Sequence, residues 1–218
     1  MKKGLTELVF ILDKSGSMSG LEDDTIGGFN SMLAKQKNLD CKVLVSTVLF
    51  NDTNDVIHDR VDIHEVQPIT NEEYFVGGCT ALLDAVGESI KHISNIHKYA
   101  REEDVPENTL FVITTDGMEN ASRSYSYEDV KKQIEDKKSN GWEFIFLAAN
   151  IDAIEVGSRI GIRRDRVANY YHDKEGVKAS FEALSKVSED VARYKRIRPN
   201  WAKDTNDDMK SRGKKPKK

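Results

Sequence analysis

Four short apolar runs constrain this 218-residue chain more than any other feature: LVFIL (8–12), VLVSTVLF (43–50), TLFVITT (109–115) and WEFIFLAA (142–149). LVFIL and TLFVITT carry no polar alternation, which is what strands covered on both faces require. Between the runs lie longer stretches of helical period. One begins near Leu21, with Ile26, Phe29 and Leu33 on one face, and another spans Ala81 to Tyr99, with Leu82, Val86, Ile90, Ile93 and Ile96 aligned. A third opens on the capping pair Ser126 and Asp129 and ends near Gly141. The capping pattern returns at Asp152 and Glu155. A last helix from Asp173 repeats apolar residues from Val177 to Tyr194, and Val167–Tyr170 reads as a short strand before it. The segment VIHDRVDIHEV (56–66) alternates and follows the short turn NDTN, so it reads as a half-exposed antiparallel edge strand. The expected class is α/β: a doubly wound, mostly parallel central sheet with one antiparallel edge strand and helices on both faces.

Charge divides the chain. From Arg196 to Lys218 there are nine Lys/Arg and three Asp/Glu, while the preceding residues carry a net charge of −10. We therefore expect a folded domain over 1–198 and a loosely ordered basic tail over 199–218, where helical periodicity stops at Pro199. An acidic body does not suit a nucleic-acid binder, although the tail alone has the charge to touch phosphate. No run reaches the ~18 apolar residues of a membrane span, and the apolar run at the N-terminus is short and closed by Asp13 and Lys14. A cytoplasmic location is expected. Cys41 and Cys79 are too few for a disulfide framework or a cysteine-rich zinc site and read as reduced, packed thiols. Without coiled-coil heptads, the expected state is a monomer.

Oxygen-bearing side chains gather where the runs end. Asp13, Ser15 and Ser17 follow the first run, Thr80 stands in GGCTALLDA before the long helix, and Asp116-Gly117 follow TLFVITT. Ligands of open parallel sheets bind beyond the carboxyl ends of the strands, where the strand order reverses. If the first run and TLFVITT are neighbours there, these loops converge. Two carboxylates and three hydroxyls form an all-oxygen set suited to Mg²⁺ or Mn²⁺, not zinc. Two carboxylates balance a divalent ion without surplus, so the ion keeps its pull on an outside anion.

FILDKSGSMSG, GGCTALLDA and VITTDGMEN, in that order, resemble the von Willebrand factor A (VWA) domain and its metal-ion-dependent adhesion site. The resemblance covers roughly residues 5–195 and is closest to compact, stand-alone bacterial or phage members. It implies a Rossmann-like VWA fold, metal ligation by Asp13, Ser15, Ser17, Thr80 and Asp116, and a protein partner that supplies an exposed Asp or Glu. It implies binding, not catalysis.

Other residues take plainer readings. Asp84 reads as an acid at a helix start, Glu119 and Asn120 as loop rim, and Lys14 as a rim charge pointing away from the ligands. His58, His64, His92, His97 and His172 read as surface imidazoles, and Cys79 as a small side chain under its loop. Competing functions fit less well. A phosphatase of the haloacid dehalogenase type needs a second Asp where Ser15 stands, and no phosphate-binding glycine motif occurs. A scaffold whose basic tail contacts nucleic acid is the remaining alternative, with Trp201 its lone aromatic.

Overall fold

The computed structural model describes residues 1–213. In chain order the elements are β1 (Lys2–Asp13), α1 (Glu22–Lys37), β2 (Lys42–Phe50), β3 (Asn54–Asp62), α2 (Leu82–Tyr99) and β4 (Pro106–Thr115). They continue with α3 (Tyr127–Ser139), β5 (Glu143–Ala148), α4 (Ala153–Arg159), β6 (Val167–Asn169), α5 (Lys174–Tyr194) and α6 (Lys203–Ser211). The sheet order is β3-β2-β1-β4-β5-β6. β2 and β3 pair antiparallel across the turn at 51–53, and the other four pairs are parallel. The expected α/β architecture is the one observed.

β1 is central, and its alternate residues feed two cores, as a pleat of period two demands. Leu8, Phe10 and Leu12 face α1 and α5, where they meet Phe29, Leu33, Phe181 and Leu184. Val9 and Ile11 face the other layer, with Leu82, Val86 and Ile90 of α2 and Val130 and Ile134 of α3. Each such buried side chain contributes about 1.5–3 kcal/mol relative to exposure. On the first face the rings of Phe10 and Phe29 meet edge-on at 5.4 Å, and Phe29 meets Phe181 at 6.4 Å. Gly28 makes this possible: a Cβ there would stand 2.4 Å from the Phe181 ring. The close approach accounts for the second glycine of TIGGFN, while Gly27 faces open space.

The capping pairs act as the sequence suggests. Ser126 and Asp129 close a reciprocal box at the start of α3, and Asp152 and Asp173 accept backbone N–H bonds at the starts of α4 and α5.

Several expectations need correction. The tail over 199–218 is not loose where it is described. Trp201 is 5% exposed and donates from Nε1 to the Asp165 carbonyl at 2.8 Å, and Ala202 and Thr205 are buried beside it. A nine-residue helix is marginal alone, so α6 owes its existence to this anchor and to its packing on α5. Composition showed the charges but not the anchor. Residues 214–218 lie outside the described residues. β3 stops at Asp62, short of the expected Val66, because the chain turns there: the Asp62 carbonyl accepts the N–H groups of Glu65 and Val66, and its carboxylate that of His64. Cys41 is half-buried and Cys79 exposed, so Cys79 is not packed under its loop. Among the described residues no helix is long and apolar enough to cross a membrane.

Candidate metal centre

β1 and β4 are the two central neighbours from which the strand order runs outward in opposite directions. Their carboxyl ends therefore flank the crevice that such a reversal opens. Asp13 ends β1 and Thr115 ends β4, and the Thr115 hydroxyl donates to Asp13 Oδ2 at 2.5 Å. Asp13 Oδ1 accepts the Ser15 backbone N–H at 2.7 Å, which turns the chain sharply after the strand. The Tyr74 hydroxyl holds the Asp13 carbonyl from below at 2.6 Å.

Hydroxyls link the remaining positions. Thr80 Oγ1 donates to Ser15 Oγ at 3.0 Å, Ser15 and Ser17 share a 3.0 Å contact, and Ser17 Oγ donates to Asp116 Oδ1 at 2.5 Å. Since Ser17 gives its proton to Asp116, Ser15 is the donor to Ser17, and the chain of bonds runs one way from Thr80 to the carboxylate. Each hydroxyl oxygen keeps lone pairs. Gly117 lies against this chain, and a Cβ there would stand 3.0 Å from both Ser17 Oγ and Thr80 Oγ1.

The loop that brings Thr80 is fastened on three sides. Gly77 N–H donates to the Lys14 carbonyl at 2.9 Å and Gly16 N–H to the Gly78 carbonyl at 3.0 Å. Asp52 Oδ1 accepts the Cys79 N–H at 2.6 Å. Asn120 clasps Thr80 from both ends, its Oδ1 accepting the Thr80 N–H and its own N–H reaching the Thr80 carbonyl. Gly78 has φ +77°, and a Cβ there would strike Asp52 Oδ1 at 2.0 Å.

The electrostatics are unbalanced in a telling way. Asp13, Ser15, Thr80 and Asp116 are buried, and Ser17 is exposed at the mouth. Burial raises the pKa of Asp13, although bonds from Ser15 and Thr115 oppose the shift. Burial likewise raises that of Asp116, opposed by Ser17 and by the nearby His172. A cation beside two buried carboxylates and their neutral hydroxyls would offset the cost of burying their charge. The five oxygens are chemically suited to a hard divalent one. Among the described residues no three His, Cys, Asp or Glu side chains form a metal cage of their own. The oxygens gathered here are those of two carboxylates and three hydroxyls.

Neither a family model nor a curated protein matches the chain. Solved structures do. A von Willebrand factor type A protein from Catenulispora acidiphila superposes with TM-score 0.56 at 15% identity, covering 84% of this chain and 42% of its own. The fold is that of a von Willebrand factor A domain. Manganese-loaded TRAP protein of Plasmodium vivax shares the VWA fold at TM-score 0.55 and 17% identity, over 79% of this chain and 70% of that one. Proximal thread matrix protein 1 of the mussel byssus, with a zinc-occupied MIDAS motif, does so at 0.52 and 16%, over 87% and 45%. This chain thus spans under half the length of two of these VWA proteins.

Within the VWA fold all five expected positions come together. Lys14 and three histidines were misjudged, whereas Asp84 and Glu119 keep the helix-start and loop-rim places read for them. Lys14 is no rim charge: it is 1% exposed, its Nζ lies 2.6 Å from Asp55 Oδ2 and sits over the Phe75 ring. Asp84 turns from the centre to accept the backbone N–H groups of Arg123, Ser124 and Tyr125. Glu119 staples the rim through Leu83, Ala121 and Ser122. Three histidines are not surface imidazoles. His58 is buried against Thr47, His97 lies 2.6 Å from the buried Glu7, and His172 Nδ1 lies 2.9 Å from Asp116 Oδ2. The signal for His172 was positional, because it follows β6 at the same carboxyl edge of the sheet that carries the site.

Proposed function

We propose that this VWA domain is a divalent-metal-dependent protein-binding module. In this reading Asp13, Ser15, Ser17, Thr80 and Asp116 hold one Mg²⁺ or Mn²⁺, and a partner's Asp or Glu completes the ion's shell. The observation that carries the reading is the one-way hydroxyl chain from Thr80 to Asp116, set beside two buried carboxylates and open only at Ser17. A bound ion supplies positive charge at the mouth. The chain's own residues orient it: Asp13 is fixed by Thr115 and Ser15, and Thr80 by Asn120. The metals named for the manganese-loaded and zinc-occupied neighbours support a cation in this fold.

The reading is binding and not catalysis. The nearest imidazole, His172, is turned to Asp116, and Lys14 is paired with Asp55, so neither is poised to activate water. Two basic residues near the C-terminus have local partners, Arg198 on Asp190 and Arg212 on Asp173 and Asp208, which reduces the charge they offer to a phosphate backbone. Two unpaired thiols, one of them exposed, suit a reducing cytoplasm. We read the protein as a monomer there.

The test is capture of partners from native lysate by the immobilised protein, with Mg²⁺ or with chelator, and in parallel with Asp13→Ala. A partner lost in both controls, and lost again when its contacting acid is replaced by the matching amide, supports the reading. Binding that persists through chelation and through the amide replacement contradicts it, as does metal-dependent turnover of a phosphatase, nuclease or peptidase substrate that vanishes in Asp116→Ala.

A further inference from the structure

We infer that His172 is a positioning residue for Asp116 and that α6, through Arg212, holds His172 in place. The inference rests on the metal-site reading above and extends it to residues outside the five ligands.

The two oxygens of Asp116 have separate tasks. Oδ1 accepts the Ser17 hydroxyl, whereas Oδ2 faces His172 Nδ1 at 2.9 Å. Both Oδ2 and Nδ1 are sealed from solvent, and neither has a hydrogen-bond partner among the described residues, so each is a buried polar atom facing the other without an aligned bond. Their separation is right for a charge-assisted bond once ring and carboxylate turn toward each other. An N–H on Oδ2 fixes the plane of the carboxylate and leaves Oδ1 directed into the hydroxyl chain. Carboxylates that ligate metals are commonly oriented by such outer partners.

His172 is itself held on both sides. The Tyr171 hydroxyl donates to the Met209 carbonyl of α6 at 3.2 Å, and the Arg212 guanidinium lies 4.6 Å over the Tyr171 ring. Arg212 Nη1 donates to Asp173 Oδ2 at 2.6 Å, while Asp173 Oδ1 caps α5 through the Gly176 N–H at 2.9 Å. The first turn of α5 lies so close that a Cβ on Gly176 would stand 2.0 Å from the Tyr171 carbonyl oxygen. The two neighbours of His172 are therefore tied to α6 and α5, and the imidazole has little freedom to leave Asp116.

The experiment is a calorimetric Mn²⁺ titration of the full chain and of His172→Ala, His172→Asn and Arg212→Ala, each checked for fold by circular dichroism. His172→Ala lowers affinity tenfold or more. His172→Asn, whose amide puts an N–H donor near the place of Nδ1, recovers most of that loss, and Arg212→Ala falls between. Unchanged affinity in His172→Ala overturns the inference, and so does an Asn variant that folds yet binds no better than Ala. Unchanged affinity in Arg212→Ala removes the part assigned to α6. A wild-type chain that binds no Mn²⁺ overturns the metal-site reading itself, whereas wild-type binding with an indifferent His172 leaves that reading standing.

Discussion

Ser17 and Asp116, ninety-nine positions apart in sequence, share a 2.5 Å hydrogen bond from hydroxyl to carboxylate. It joins the loop after β1 to the residue after β4, across the point where the strand order reverses. Ser17 is exposed and packs little, so Ser17→Ala should leave the melting temperature within a few degrees of wild type, as surface substitutions do. The same change should weaken Mg²⁺ or Mn²⁺ binding by about tenfold, the order lost with one oriented ligand partner. Parallel melting and titration curves check the pair of expectations. A large loss of stability with unaltered metal affinity would reverse the roles assigned here.

Trp201 gives the C-terminal segment a measurable weight. Trp201→Ala removes a buried ring and the bond to the Asp165 carbonyl. Such truncations cost about 3–5 kcal/mol, or roughly 6–20 °C in melting temperature for a chain of this size. Deletion after Arg198 should do at least as much. Melting within two degrees of wild type would mean that α6 is not part of the folded unit.

Acid should weaken the fold through His58. Burial holds its imidazole below the ordinary value of 6.5, opposed by the Gln67 backbone and, less, by the charge of Glu73. Between 6.5 and that lowered value the unfolded chain binds a proton that the folded one refuses. This contribution to stability is therefore full above pH 6.5 and falls as pH drops toward the folded pKa. Denaturant titrations at stepped pH should show the decline, and His58→Gln, which keeps a polar group near Thr47, should flatten it. An equal slope in the variant would assign the acid sensitivity to another group.

Gly28 is a packing glycine. Gly28→Ala should cost about 1–3 kcal/mol, because the new methyl meets the Phe181 ring at 2.4 Å. Phe181→Leu in the same chain should return part of that loss, giving a non-additive cycle. Additive effects would show that the two residues do not press on each other.

The sequence made the fold legible because the central strands are apolar on both faces, the long helices carry apolar stripes, and α3, α4 and α5 open on side-chain caps. It made the five oxygens legible because each follows a strand or precedes a helix at one edge of the sheet. What stayed hidden depends on partners distant in sequence. Lys14 looked like a rim charge until Asp55 and Phe75 closed over it. His172 had no metal-ligand spacing, and only the neighbouring strand ends bring it to Asp116. Trp201 stood in a charged tail, and no local pattern announces that one indole folds back on Asp165.

The most direct measurement is a calorimetric titration of the metal-free chain with Mg²⁺ and with Mn²⁺, repeated on Asp13→Ala. The expected result is one ion per wild-type chain and none per variant. A matching rise in stability of about 2.7 kcal/mol should accompany a free-ion concentration one hundred times the dissociation constant. If the wild-type protein binds neither ion at millimolar concentration, with acetate or glutamate present to complete the shell, or if Asp13→Ala binds as the wild type does, the site is not a metal centre.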